Sequence, residues 1–174
     1  MIFKRISLVT IAHIFLLHIA ANAQSVTSSP KYLDKDMLSF FIGQWSGEGQ
    51  FANGKKIAAD VSFSLSLDSC WVVYTHTDKS PGMYKAMSMW GVDKATGKPV
   101  DYIFNNFQGN DKYTSDGWAN NKIIWFKEQR ISGGSFFTRF TYEKLDENRF
   151  KMTYEVSKDN SNWKMGDFLI FVRK

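Results

Sequence analysis

From Trp45 onward, apolar and polar positions alternate with a period of two, the spacing of a strand with one buried face. Val61, Phe63, Leu65 and Leu67 share one face, with Ser62, Ser64 and Ser66 on the other. Phe150, Met152, Tyr154 and Val156 lie opposite Arg149, Lys151, Thr153 and Glu155, and Phe136, Phe140 and Tyr142 oppose Phe137, Arg139 and Thr141. Turn-forming clusters separate the alternating runs. Asn53-Gly54 is the strongest, because both residues readily take the positive φ of a tight hairpin. The pattern predicts ten strands, near 45–52, 56–67, 70–77, 83–92, 99–107, 112–118, 122–130, 135–144, 148–156 and 162–172. Short loops between consecutive strands give an antiparallel meander. Ten strands can close on themselves and remove both edges, whereas a two-sheet sandwich needs longer crossovers. Residues 31–42 predict a short helix capping one end. The expected fold is therefore all-β, an antiparallel up-and-down barrel of about ten strands with a short N-terminal helix. The segments 122–126 and 163–172 are apolar on both faces, which suggests cover by the N-terminal segment or by a partner subunit in a homodimer.

The first residues follow another logic. Lys4 and Arg5 precede an apolar stretch from Ile6 to Ala20, and Ala21-Asn22-Ala23 fits a small-x-small cleavage site. Residues 1–23 are expected to be a secretory signal peptide that leaves Gln24 as the N-terminus. The stretch is short for a membrane span and no Cys follows the site, so no stable membrane anchor is expected. Residues 24–35 then form a flexible leader and 36–174 the barrel domain, in a periplasmic or secreted protein. Removing residues 1–23 leaves 151 residues and lowers the net charge from +5 to +3. That length suits one domain with its own core.

Composition narrows the chemistry. Cys70 is the single cysteine, so an intramolecular disulfide is excluded and no structural zinc motif exists. The basic residues are interspersed with acidic ones, which argues against a nucleic-acid partner. The richest signal is aromatic: of 28 Phe, Trp and Tyr residues, 26 lie beyond residue 23. Rings can fill a barrel, or they can line a cavity for a small apolar or aromatic ligand with Tyr hydroxyls giving orientation.

Gly43-Gln44-Trp45-Ser46-Gly47-Glu48-Gly49, Trp90-Gly91-Val92-Asp93-Lys94-Ala95-Thr96-Gly97-Lys98 and the segment 168–174 with its terminal Arg173-Lys174 carry a family likeness. In this order, on an all-β background, they resemble the calycin superfamily of lipocalin-like barrels. More narrowly they resemble an uncharacterised bacterial group of secreted lipocalin-like proteins. The resemblance covers residues 36 to 174. It implies a container for one small ligand. It also implies that Trp45 packs at the closed end beneath a basic side chain of the last strand, Arg173 or Lys174, both residues being structural. The nitric-oxide-handling haem barrels share a Gly-x-Trp-x-Gly start, but their haem needs an axial histidine near the C-terminal strands. No histidine lies there, so no cofactor is expected and haem is disfavoured.

His76, in Tyr74-Thr75-His76-Thr77, is the one histidine beyond residue 23. It reads as a partly exposed strand-end residue, or as a polar contact or general base at the barrel mouth. Cys70 reads as a small buried hydrophobe. Asp60, Asp101, Glu128, Glu155 and Asp167 form no diagnostic pair. Asp167 shares a face with Met165, Leu169 and Phe171, so one phase of the last strand would bury it with Arg139 as a candidate partner; a surface pair at a sheet edge is the favoured alternative. The residues expected to face a ligand are Tyr74, His76, Trp90, Trp125, Tyr142 and Tyr154; no metal site and no catalytic residue is assigned. Three functions stay open. The first is binding of a largely apolar ligand. The second is a calycin-type isomerase, cyclase or decarboxylase. The third is a plugged barrel acting through its surface. A cavity separates the first from the third, and a buried acid–base group inside it would favour the second.

Overall fold

A computed structural model describes residues 32–174. The expected signal peptide, and the expected leader up to residue 31, lie outside the described residues. One helix, α1 (Lys35–Phe41), precedes ten strands: β1 (Gly43–Phe51), β2 (Lys56–Ser66), β3 (Trp71–Asp78), β4 (Lys85–Val92), β5 (Pro99–Asn105), β6 (Asn110–Thr114), β7 (Lys122–Ile131), β8 (Gly134–Asp146), β9 (Arg149–Ser157) and β10 (Lys164–Arg173). Every strand pairs antiparallel with its sequence neighbours, and β1 pairs with β10 to close the barrel. The ladder is thinnest between β6 and β7, which share the single pair Thr114–Phe126.

The sequence dictates where the helix starts and stops. Asp34 is its N-cap, accepting from the backbone N–H of Asp36 at 2.9 Å and of Met37 at 3.0 Å. At the other end the last carbonyls need donors. Trp45 Nε1 donates to Phe41 O at 2.8 Å, and Arg173 donates from Nη1 to Ile42 O at 3.0 Å and from Nη2 to Phe40 O. The Arg173 guanidinium also lies over the Trp45 ring, 4.1 Å from its centroid. Gly43, at φ +130°, makes the turn into β1, and a Cβ there would stand 3.0 Å from Arg173 Nη1. The Gly-x-Trp turn and the final strand thus close one end of the barrel together.

The helix plugs that end and does not cover an outer face. Phe41 packs against Phe63, Trp90 and Phe150 at 5.2, 5.9 and 5.2 Å between ring centroids, and Phe40 against Trp45 at 5.3 Å. The outer face of β7 and β8 is partly covered by its own rings: Phe126 stacks on Phe137 and meets Trp163, over which Arg139 lies 4.0 Å from the centroid. Among the described residues no helix is long and apolar enough to cross a membrane.

Two sequence expectations change here. Leu65 and Leu67 share the phase of Val61 and Phe63 but are exposed, because β2 runs on past the plugged end into the turn at Leu67–Cys70. Asp167 does not meet Arg139, whose Nε donates to Glu155 Oε2 at 2.6 Å. A bulge between Met165 and Asp167 shifts the register: Met165 stands opposite Glu155, yet Asp167 stands opposite Tyr154 and points inward with Leu169 and Phe171. Cys70 is half-buried in a turn and carries a free thiol.

Candidate functional site

Above the plug the barrel is hollow. The cavity has a volume of about 1110 Å³ and opens between the β1–β2, β3–β4 and β5–β6 loops. Small-molecule pockets commonly reach about 1,000 Å³, so a sizeable organic molecule fits. Its wall comes from inward positions of most strands, including Tyr74, Tyr113, Phe140, Tyr142, Met152 and Tyr154. Gly166 backs one of these wall rings: a Cβ there would lie 2.8 Å from Cδ1 of Tyr154.

The polar groups of the wall concentrate on β3. Tyr74, His76 and Asp78 alternate along the strand, so all three side chains reach the same interior face. His76 is 4 % exposed, and both its ring nitrogens are engaged. Nε2 lies 2.9 Å from Asp78 Oδ1, and Nδ1 lies 3.0 Å from the Tyr74 hydroxyl. Asp78 is held in turn by the Tyr84 backbone N–H, 3.2 Å from Oδ2. In the neutral ring, Nε2–H donates to the carboxylate and Nδ1 accepts from Tyr74. The Tyr142 ring meets that of Tyr74 edge-on, 6.1 Å between centroids, and extends the line inward. Burial raises the Tyr74 and Tyr142 phenols far above their ordinary values and lifts Tyr84 to about 12, so all three stay protonated donors. The expected strand-end histidine is therefore a buried, doubly bonded one. A haem iron needs a free imidazole nitrogen, and His76, the one histidine among the described residues, has none without breaking this line.

Asp167 faces the same space from β10. Burial pushes its carboxyl up to about 6; the His76 ring counteracts this and Asp78 adds to it. Deeper, beneath the cavity, Asp101 is 3 % exposed, and burial pushes it up to about 7. Ser88 and the Trp90 indole sit near enough to pull that value back. Yet Asp101 Oδ1, Ser88 Oγ, Trp90 Nε1 and Trp125 Nε1 are all buried without a partner in hydrogen-bond geometry.

The expected ligand-facing residues divide by depth. Tyr74, His76, Tyr142 and Tyr154 line the cavity. Trp90 and Trp125 do not. They are fully buried in the core below it, 5.1 Å apart between ring centroids, with Trp90 packed against Tyr74 and Tyr142. Asp78, Tyr84, Tyr113 and Asp167 belong to the wall and were not expected there. The alternation Tyr74-x-His76-x-Asp78 was the available signal for Asp78.

No family model matches the chain, and no curated protein matches it. Among solved structures the fold is similar to the crystal structure of Rv2717c from M. tuberculosis, with a TM-score of 0.57 and 10 % identity over 82 % of this chain and 99 % of that one. At that identity the likeness is one of fold. The barrel and its cavity are compatible with ligand binding.

Proposed function

We propose that this is an exported binding protein that holds one small, largely apolar molecule in the upper half of the barrel. The observation that carries the reading is the cavity of about 1110 Å³ above an aromatic plug, walled by rings and a few directed polar groups. A barrel filled to both ends would have favoured a surface role. Here Phe40, Phe41, Trp45, Phe63, Phe150 and Phe171 fill one end and leave the other hollow. Burying an apolar ligand against this wall is worth roughly 25 cal/mol per Å² removed from water, and the Tyr74, His76 and Tyr142 groups would orient its polar end. Export rests on the N-terminal pattern of residues 1–23. Native mass spectrometry of the protein purified from its own host is the test. A bound small molecule, released on denaturation, is expected; protein that is consistently ligand-free would count against the reading.

A second reading draws on one specific feature. The Asp78–His76–Tyr74 line is a buried acid–base chain facing a cavity, the arrangement that proton-transfer chemistry needs. On that reading the bound molecule is a substrate, and His76→Gln would trap it unconverted. If wild-type and His76→Gln protein release the same molecule, binding alone is the function.

A further inference from the structure

We infer that the molecule held in the cavity carries a protonated amine, whose ammonium pairs with the Asp167 carboxylate while its apolar body lies among Phe140, Met152 and Tyr154. This rests on the binding reading and narrows its ligand class.

Four carboxylates line the cavity: Glu48, Asp78, Asp111 and Asp167. Glu48 is exposed to solvent. Asp78 holds His76 and the Tyr84 N–H. Asp111 pairs with Lys127. Asp167 is half-buried, and among the described residues no hydrogen bond or ion pair engages its side chain. The cations of the wall do not supply its partner. Among the described residues no arginine lines the cavity, its lysines are Lys55, Lys56 and Lys79 at the rim, and His76, whose ring acts on Asp167 without bonding it, is held through both nitrogens by Asp78 and Tyr74. Lys56 donates to Gln50 at 3.2 Å, Lys79 turns outward to Ser46 at 2.6 Å and Asp60 at 3.3 Å, and Lys55 is exposed.

A half-desolvated carboxylate with no bonded counter-ion is costly, and a ligand cation offsets that cost directly. The surroundings favour a cation further. Tyr154 stands opposite Asp167 on the neighbouring strand, and the rings of Tyr154, Phe140 and Tyr74 offer π-faces to an ammonium. A carboxylate head at the same depth would instead meet Asp167 and Asp78, two like charges. Burial raises the Asp167 carboxyl only to about 6, so it is ionised at neutral pH and ready to pair.

The test uses purified protein loaded with N-phenyl-1-naphthylamine, an uncharged fluorescent probe, at pH 7.5. Decylammonium, decan-1-ol and decanoate, equal in chain length, compete for it. Decylammonium is expected to displace the probe at a concentration at least about tenfold below decanoate, the equivalent of one 1.4 kcal/mol step. Asp167→Asn should abolish that advantage, because the amide carries no charge to pair with the ammonium. The wild-type ranking decides even if the variant folds poorly. Decanoate binding as well as decylammonium, or an amine preference that survives in Asp167→Asn, would overturn the inference and leave the binding reading standing. Failure of the wild-type protein to take up the neutral probe would remove both.

Discussion

Replacing Asp101 by Asn makes a sharp prediction about stability and pH. Asp101 is an inward-facing β5 residue beside Trp90, and burial lifts its carboxyl from 3.8 to about 7. The protonated form is therefore the one the fold prefers. Its stabilising effect is complete below pH 3.8, declines as pH rises between 3.8 and about 7, and is gone above that. At 1.36 kcal/mol per pKa unit, the interval corresponds to a ceiling of about 4 kcal/mol. Relaxation around the carboxylate reduces it, so a loss on the order of 2–4 kcal/mol is expected. Asn keeps the shape and cannot ionise. Relative to wild type, Asp101→Asn should gain stability steadily from pH 4.5 to 7.5 and level off beyond. Urea unfolding followed by tryptophan fluorescence, at several pH values in that range, measures the difference, and groups that titrate alike in both proteins cancel. Parallel stability curves, within about 0.5 kcal/mol throughout, would refute the reasoning.

Three further outcomes are expected. Trp45→Ala removes a fully buried ring, a helix-capping donor and the surface on which Arg173 stacks. It should cost about 3–5 kcal/mol in chemical denaturation, and a loss under about 1 kcal/mol would mean that the closed end is held some other way. Gly166→Ala drives a methyl into the Tyr154 ring at the cavity wall. It should weaken binding of the neutral probe several-fold with a smaller effect on melting temperature, and unchanged probe affinity would show that this wall is not in contact with ligand. Intact-mass measurement of protein secreted by a bacterial host should show residues 1–23 removed and Gln24 at the N-terminus. Full-length chain in the membrane fraction would contradict export.

Much of the architecture was legible in the sequence because the period of two survives almost unbroken. The ten strands and the short helix lie where alternation and turn residues place them, most boundaries agreeing within about two residues. Height along the barrel axis was not legible. Alternation tells which face a residue takes and is silent on depth, so Trp90 and Trp125 share the inward phase with Tyr142 and Tyr154 yet sit below the cavity floor. The bulge at Gly166 was equally hidden. A single extra residue shifts the register there, so Met165 and Asp167 fall out of step and Asp167 stands beside Tyr154 on the neighbouring strand, away from Arg139. A local spacing decided His76. Its partner Asp78 is two residues away on the same strand, a spacing that places both side chains on one face.

The central claim is a hollow, ligand-competent upper barrel, and one measurement meets it most directly. Purified protein is titrated with N-phenyl-1-naphthylamine while probe and tryptophan emission are followed, for wild type, Tyr154→Ala and Lys151→Ala. The account predicts saturable one-to-one binding at micromolar concentration, several-fold weaker in Tyr154→Ala, whose ring lines the cavity, and unchanged in Lys151→Ala, whose side chain lies over Phe168 on the opposite phase of β9. Absence of saturable binding, or equal binding by all three proteins, would contradict it.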